Sequence, residues 1–549
     1  MAVRLAVTAA FLFPFFTPVA SVDLTVTPGA VGPEVVEATV QRILLSDIFS
    51  DDFSLLRRIA LVETADGKDS AAFAGGLAGG IWRLTPEAFT RTTELAEGDW
   101  GSYYTDLRRS ALGVDWRDVT YTDLQTPLIS ALAARIYIMM TSTPVDKVAY
   151  GLAPQALYWK LQYNKDGDEA QFIAKVTEME KGQVCKIGID VVFALDASLS
   201  VGDEGFARSK NFVKQVVEAF NIGPRDDQTR VGCLQFSHEV SLAFDLDNHD
   251  NKEGILRAVD EIAYKGGGTA MGSAIDFIRQ NSFTEEHGAR PTQYAVPRVA
   301  VILTDGKTNK EFPILFPSAL AHRDGITIYC IGVGAADDSE LTVIASRPVA
   351  SHVMHVLSYA AIDYLQNIMA TRTCRETTEI AVGHPVVTDL QEGEARFISY
   401  EIDRTEGATL KFVTSSGLVT VYLSSEVPNP NEAVYDYKVQ TDGRVDLFID
   451  PALLGSSSRY KRATGVVTPS HVTVYTAIYA HTNGTQLYVE SRGGNNADHG
   501  YPPPASTDPP DGGEHAPYRS HASPGPTASV PVAVAAVCAT SAIFAQLQF

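Results

Sequence analysis

The sequence predicts a multidomain chain: an α-helical N-terminal domain, an α/β doubly wound central domain and an all-β sandwich. Three observations carry this reading. The 549 residues exceed one domain and suggest about three or four units. Between residues 186 and 373, β-branched runs alternate with helical periodicity. From about 378 to 494 the apolar period drops to two. Hydrophobic residues make up 45% and charged residues 20%, as in globular chains, so wholesale disorder is excluded. A net charge of −22 offers nothing to offset phosphate repulsion, which argues against a nucleic-acid partner. Five cysteines are too few for a disulfide-dense scaffold. No interior apolar run reaches the length of a membrane span.

The two ends read as addresses. Residues 1–21 hold Arg4, an apolar run from Leu5 to Phe16 and the small residues Val19-Ala20-Ser21, a secretory signal pattern. Residues 495–529 form a linker rich in Pro, Gly and Ser, too poor in apolar residues for a packed core. Residues 530–549 carry no charge and follow small polar residues, an order that resembles a glycolipid-anchor signal. A membrane span and a plain secreted end are the alternatives. The expected location is therefore extracellular, with a membrane contact through the lipid. Asn483-Gly484-Thr485 is an N-glycosylation sequon, which if used places Asn483 on the surface.

In the central domain, residues 185–374, the run IGIDVVFALD reads as a strand buried on both faces. In an open parallel sheet the ligand site lies outside the carboxyl ends of the strands. That edge carries Asp196, Ser198 and Ser200 after the first strand, Thr269 after three glycines, and Asp305 at the end of another strand. All five are hard oxygen donors, which suits Mg²⁺ or Mn²⁺, with Ca²⁺ as a further candidate, rather than zinc. Taken singly, each is as well explained as a turn or helix cap. A phosphate-loop reading of Gly306-Lys307-Thr308 fails because residue 301 is Val where the loop needs its first glycine.

This constellation resembles the metal-ion-dependent adhesion site of the von Willebrand factor A domain. The resemblance implies that Ser198, Ser200 and Thr269 bind the ion, with Asp196 and Asp305 binding directly or through water. One coordination position would stay open for an acidic group on an extracellular protein or matrix ligand. Cys185 and Cys374 bracket the domain and could tie its ends together in an oxidising compartment. The strand order of the family keeps Cys233 and Cys330 too far apart for a bridge, so they read as buried free thiols.

Residues 22–184 hold no cysteine. Ser50 is expected to cap a helix with Asp51 and Asp52 in its first turn. At about 100° per residue, Phe53, Leu55, Leu56, Ile59, Ala60 and Val62 fill one face, and Glu63 falls near its middle. A desolvated glutamate has a raised pKa, as a general acid for glycoside cleavage requires. The alternative is a helix that ends at Glu63, where the face loses its meaning. Further on come Gly79-Gly80-Ile81-Trp82-Arg83, an apolar helix from Pro127, and Tyr163-Asn164. In order and type these resemble goose-type lysozymes and lytic transglycosylases over about residues 45–170. The resemblance implies Glu63 as acid and a saccharide groove that draws on Trp82, Arg83, Tyr163 and Asn164. Arg83 stands where that family has glutamine, and a pairing with Glu63 would lower the pKa and oppose catalysis.

Residues 378–494 contain about seven alternating runs, an antiparallel sandwich without a catalytic constellation. The favoured reading is a surface-tethered adhesion protein acting through the A-type domain, with a glycan-recognising or degenerate lysozyme-like unit. The rival is a surface-delivered muramidase or chitin-cleaving enzyme using Glu63. A polysaccharide is thus a candidate partner in both.

Overall fold

The computed structural model describes residues 21–73, 79–94, 101–110, 112–142, 148, 150–181, 188–225, 227–308, 313–450 and 470–493. Residues 1–20 of the expected signal, the linker, the C-terminal tail and Cys185 lie outside them. Contacts divide the chain into Met1–His499 and Gly500–Phe549, and every described residue belongs to the first unit.

After a two-residue strand β1 (Val22–Asp23), the N-terminal part is helical. It comprises α1 (Pro33–Leu45), α2 (Leu55–Thr64), α3 (Pro86–Glu94), α4 (Gly101–Arg109), α5 (Pro127–Thr141), α6 (Leu152–Tyr158) and α7 (Glu169–Glu180). Proline opens α1 and α5, where its fixed φ suits the first turn and its missing N–H costs nothing. α5 is buried almost all round, from Leu128 through Ala131–Ala134 to Met139, and forms the centre of this part.

α2 corrects one expectation. It begins at Leu55, so Ser50 is not its cap. Asp52 accepts hydrogen bonds from Ser54 N and Leu56 N at 3.0 and 2.9 Å and shapes the entry turn. Asp51 is held by Arg372, whose Nη2 and Nη1 reach its two oxygens at 2.6 and 2.9 Å. Asp51 also accepts from Phe53 N at 2.9 Å, and the left-handed backbone of Phe53 and Ser54, φ +50° and +67°, delays the helix to Leu55.

The central domain contains β2 (Asp190–Asp196), α8 (Gly202–Glu218), β3 (Arg230–Phe236), β4 (Val240–Phe244), α9 (Lys252–Glu261), α10 (Met271–Phe277) and β5 (Arg298–Thr304). It continues with α11 (Leu315–Arg323), β6 (Ile326–Val333), α12 (Asp338–Ile344), α13 (Val349–His352), β7 (Val353–Val356) and α14 (Gln366–Thr373). The sheet order is β4-β3-β2-β5-β6-β7, parallel except for the antiparallel edge strand β4. Every residue of β2 is buried. Val191, Phe193 and Leu195 face α8 and join a core that continues into the helical part through Ile59, Trp82 and Leu132. Val192 and Ala194 face the opposite way, onto Met271, Ile275 and Ala321. Cys233 and Cys330 are buried free thiols on strands separated by β2 and β5. Cys374 is disulfide-bonded.

The C-terminal part comprises β8 (Thr378–Glu379), β9 (Val386–Leu390), β10 (Ala395–Asp403), β11 (Ala408–Ser416), β12 (Val419–Ser424), β13 (Val434–Tyr435), β14 (Tyr437–Thr441), β15 (Arg444–Ile449), β16 (His471–Ala480) and β17 (Thr485–Gly493). Two sheets form, β14-β12-β16-β10-β8 and β15-β11-β17-β9. Their inner faces meet through Ile398, Tyr400, Leu410, Phe412, Val421, Val474 and Val489. β1 and β8 escape sequence reading because each has only two residues; β9, five residues with alternating burial, was missed as well. β1 pairs antiparallel with β13, Val22 opposite Tyr435, and fastens the start of the described chain to this part. Asn483 sits exposed in the turn between β16 and β17. Among the described residues, no helix is long and apolar enough to cross a membrane.

At the amino end of β2, Asp190 is fully buried against Arg290. Arg290 donates from its backbone N at 2.8 Å and from Nε and Nη2 at 2.9 and 2.7 Å. Removing one partner of a buried pair strands the other charge. Arg290→Ala should therefore cost about 3–5 kcal/mol, read as a lower urea midpoint for unfolding of the central domain. A shift worth less than about 1 kcal/mol, the value of an exposed pair, would contradict this account.

Candidate functional site

The parallel strands bring Asp196, at the end of β2, beside Asp305, which follows β5. Asp196 is buried; its Oδ1 accepts from Ser198 N at 2.8 Å and its Oδ2 from Thr304 Oγ1 at 2.7 Å. The Ser198 and Ser200 hydroxyl oxygens lie 3.1 Å apart, and Ser200 Oγ donates to Asp305 Oδ1 at 2.7 Å. Thr269 is presented by a glycine turn in which Gly266 and Gly267 have φ of +69° and +117°, the left-handed region that glycine tolerates best. The loops are tied to one another: Leu199 N donates to Gly267 O at 3.0 Å and Ala270 N to Ser237 O at 2.7 Å. A Cβ placed on Gly306 would lie 3.5 Å from Ser200 Oγ and 3.9 Å from Thr269 Oγ1, so both hydroxyls open on one gap. All five residues singled out from sequence thus converge.

Burial pushes the Asp196 carboxyl up to about 6, and the charge of Asp305 adds to the effect. Burial also raises Asp305. Among the described residues neither acid has an ion-pair partner; Lys307, two residues after Asp305, pairs with Asp337 instead. Two carboxylates, one buried and one half-buried, thus lie among hydroxyl oxygens with no paired cation among the described residues. That donor set fits a hard divalent cation. No group of three or more His, Cys, Asp or Glu among the described residues could hold a metal, so the hydroxyls must complete any shell here. Sequence reading missed two supporting residues. Thr304 orients Asp196, and Tyr264 OH donates to Ser198 O at 2.9 Å. Thr304 carried a signal, since it is the strand residue directly before Asp305.

Residues 190–369 match the von Willebrand factor type A domain. Mouse (Mus musculus) matrilin-2 is 34% identical over 186 residues, covering 34% of this chain and 19% of matrilin-2. Human (Homo sapiens) matrilin-3 is 33% identical over 210 residues, covering 38% of this chain and 42% of matrilin-3. The match thus spans well under two thirds of these relatives. Among solved structures, proximal thread matrix protein 1 from the mussel byssus is 25% identical with a TM-score of 0.33, over 36% of this chain and 53% of that one. A second structure of the mussel protein is described with a zinc-occupied MIDAS motif, again with a TM-score of 0.33 and 25% identity, over 36% of this chain and 52% of that one.

The second locus is Glu63, at the penultimate position of α2. It is only 8% exposed. Trp159 Nε1 and Asn164 Nδ2 both donate to its Oε1, at 2.7 and 3.0 Å. Among the described residues Oε2 has no hydrogen-bond partner. Burial raises the pKa and outweighs the two donors, which favour the anion. Two expectations need correction. Arg83 is exposed and makes no ion pair with Glu63. Its charge acts only as a weaker lowering influence. The reason is the backbone, which turns at Arg83 with φ of +49° and aims the side chain outward. Trp82 is no groove residue. It is fully buried in the core, its Nε1 donating to Leu56 O at 2.8 Å, so it offers no face to a sugar. Tyr163 is half-buried and donates from its OH to Trp82 O at 2.6 Å. Trp116 and Trp159 are buried as well, and Trp159 meets Glu63 only through its ring edge.

Thr304→Val keeps the shape of a side chain that orients Asp196 and deletes its hydroxyl. Partners of this kind cost about 10–100-fold in metal affinity when removed. Calorimetric titration of Mn²⁺ into the variant should show such a loss with far-UV circular dichroism unchanged; equal affinity would show that Asp196 needs no orienting donor.

Proposed function

We propose that the protein is an extracellular adhesion protein that captures an acidic group of a protein or matrix ligand. Capture occurs through a divalent cation, Mg²⁺ or Mn²⁺ with Ca²⁺ as the further candidate, held by Asp196, Ser198, Ser200, Thr269 and Asp305. One observation carries the reading: a buried carboxylate, Asp196, and a half-buried one, Asp305, with no ion-pair partner among the described residues, share a gap with three hydroxyls at the carboxyl edge of the sheet. A cation there satisfies the donors and keeps a position for an oxygen of the partner. The matrilins named above, and a collagen alpha-1(XII) chain of Notophthalmus viridescens that is 33% identical over 189 residues, support a matrix setting. So does the disulfide at Cys374, with Cys185 as its proposed partner, because such bonds persist in oxidising compartments. A glycan on Asn483 and a glycolipid at the C-terminus belong to the same reading.

The geometry at Glu63 favours a second activity in the helical part: glycan cleavage by a lysozyme-like unit. Its support is a desolvated acid with one carboxylate oxygen fixed by two N–H donors and the other without a partner. The proton would sit on that other oxygen and pass to a glycosidic leaving group.

Two measurements test these readings. Binding of the full chain to matrix protein should need Mg²⁺ or Mn²⁺ and vanish with chelator. Asp196→Ala should do the same with the fold retained, and chelator-insensitive binding would sink the adhesion reading. Turnover of peptidoglycan or chitin oligomers should fall by about two to four orders of magnitude in Glu63→Gln, while Arg83→Gln changes little. Because only the protonated acid donates, turnover should also decline as pH rises through the raised pKa of Glu63. A native protein without turnover, or an undiminished Glu63→Gln, would refute cleavage.

A further inference from the structure

Tyr359 opens a 3-10 helix, Tyr359–Tyr364, directly after β7. Its ring lies on the first turn of α8: a Cβ added at Gly205 would meet Tyr359 Cε2 at 2.9 Å. This is the turn that begins just after Ser200. The phenol oxygen is buried, yet it has no hydrogen-bond partner among the described residues. Burial raises its pKa, and the charges of Asp305 and Asp196 raise it further. An unpaired buried hydroxyl is destabilising, and phenylalanine would fill the same space without that cost. A donor left idle on the turn that follows Ser200 suits an acceptor that arrives only when the site is filled.

We infer that Tyr359 is a positioning residue of the cation site, its hydroxyl reserved for a water that enters with the ion. The inference rests on the reading of Asp196, Ser198, Ser200, Thr269 and Asp305 as that site. The position is also held from outside the domain. Leu357 N donates to Tyr150 OH at 3.4 Å, and the Tyr364 ring packs on Gly151, where an added Cβ would lie 2.7 Å from it. The segment carrying Tyr359 is therefore pinned at both ends by the helical part.

The test is Tyr359→Phe in the full chain, with Mn²⁺ affinity and the melting temperature of the metal-free protein as readouts. We expect Mn²⁺ affinity to fall by about tenfold, while the metal-free protein melts at the same temperature or higher because an unpaired hydroxyl has gone. A merely structural tyrosine would not separate the two readouts in this way. Gly205→Ala, which displaces the ring without touching the hydroxyl, should weaken Mn²⁺ binding too. Unchanged Mn²⁺ affinity in Tyr359→Phe overturns the inference, and so does a loss of affinity matched by a lower metal-free melting temperature. A native chain that binds no Mn²⁺ would instead refute the cation site itself.

Discussion

The burial of β2 on both faces is the constraint from which the rest follows. A strand with no solvent face must be apolar throughout, and its polar residues are driven to its two ends. Both ends are aspartates. Asp190 is neutralised by Arg290, a cation of the same chain, through three hydrogen bonds. Among the described residues Asp196 receives neutral donors alone, the Ser198 amide and hydroxyl and the Thr304 hydroxyl. Desolvating a carboxylate is expensive, and these neutral donors do not offset it, which is why burial raises the pKa of Asp196. One aspartate is paired within the fold, and the other has no ion-pair partner among the described residues.

The same strand explains why the helical part and the central domain are not beads on a string. α8 and α14 cover one face of the sheet, and the core beneath them runs without a break into the helices around α5. Ion pairs then fix how the parts face each other. Arg372 of α14 reaches Asp51, and Arg375 reaches Glu37, which also binds Arg57. Such pairs gain little net stability once desolvation is counted, but a misaligned interface would leave their charges stranded. Their effect is on orientation. The segment that carries Tyr359 touches the helical part at Tyr150 and Gly151 and the first turn of α8 at Gly205.

What was legible in the sequence was what local chemistry decides. The β-branched run of β2, the glycines before Thr269 and the hydroxyls two residues apart each specify a geometry by themselves, and the parallel fold brings them together. The start of α2 was misread because Phe53 and Ser54 take left-handed backbone, which their residue types do not announce. Trp82 was misread because a tryptophan beside a glycine turn looks the same in sequence whether its ring points into the core or the cleft. Arg83 was misread because its left-handed backbone, unusual for arginine, reverses the direction of the side chain. Thr304 was overlooked because its role exists only when β5 lies next to β2, a pairing that follows from topology rather than from any motif.

Three buried acids now divide by what compensates them. Asp190 has a guanidinium beside it, bonded at 2.7 and 2.9 Å. Asp196 has hydroxyl and amide donors that orient it and leave room for a cation. Glu63 has two N–H donors on one oxygen and none on the other, an asymmetry that a cation site would not need. Donors on a single oxygen localise negative charge there and leave the second oxygen as the place for a proton. The contrast also separates the two sites chemically. A metal ligand gains from an open electrostatic deficit of about one charge or more, whereas an acid gains from neutrality held in a dry setting. Arg83, turned inward, would have favoured the carboxylate form more strongly than it does from outside. The outward turn of one residue with positive φ thus keeps the second locus chemically distinct from the first, although both begin from the same physical problem of a carboxylate removed from water.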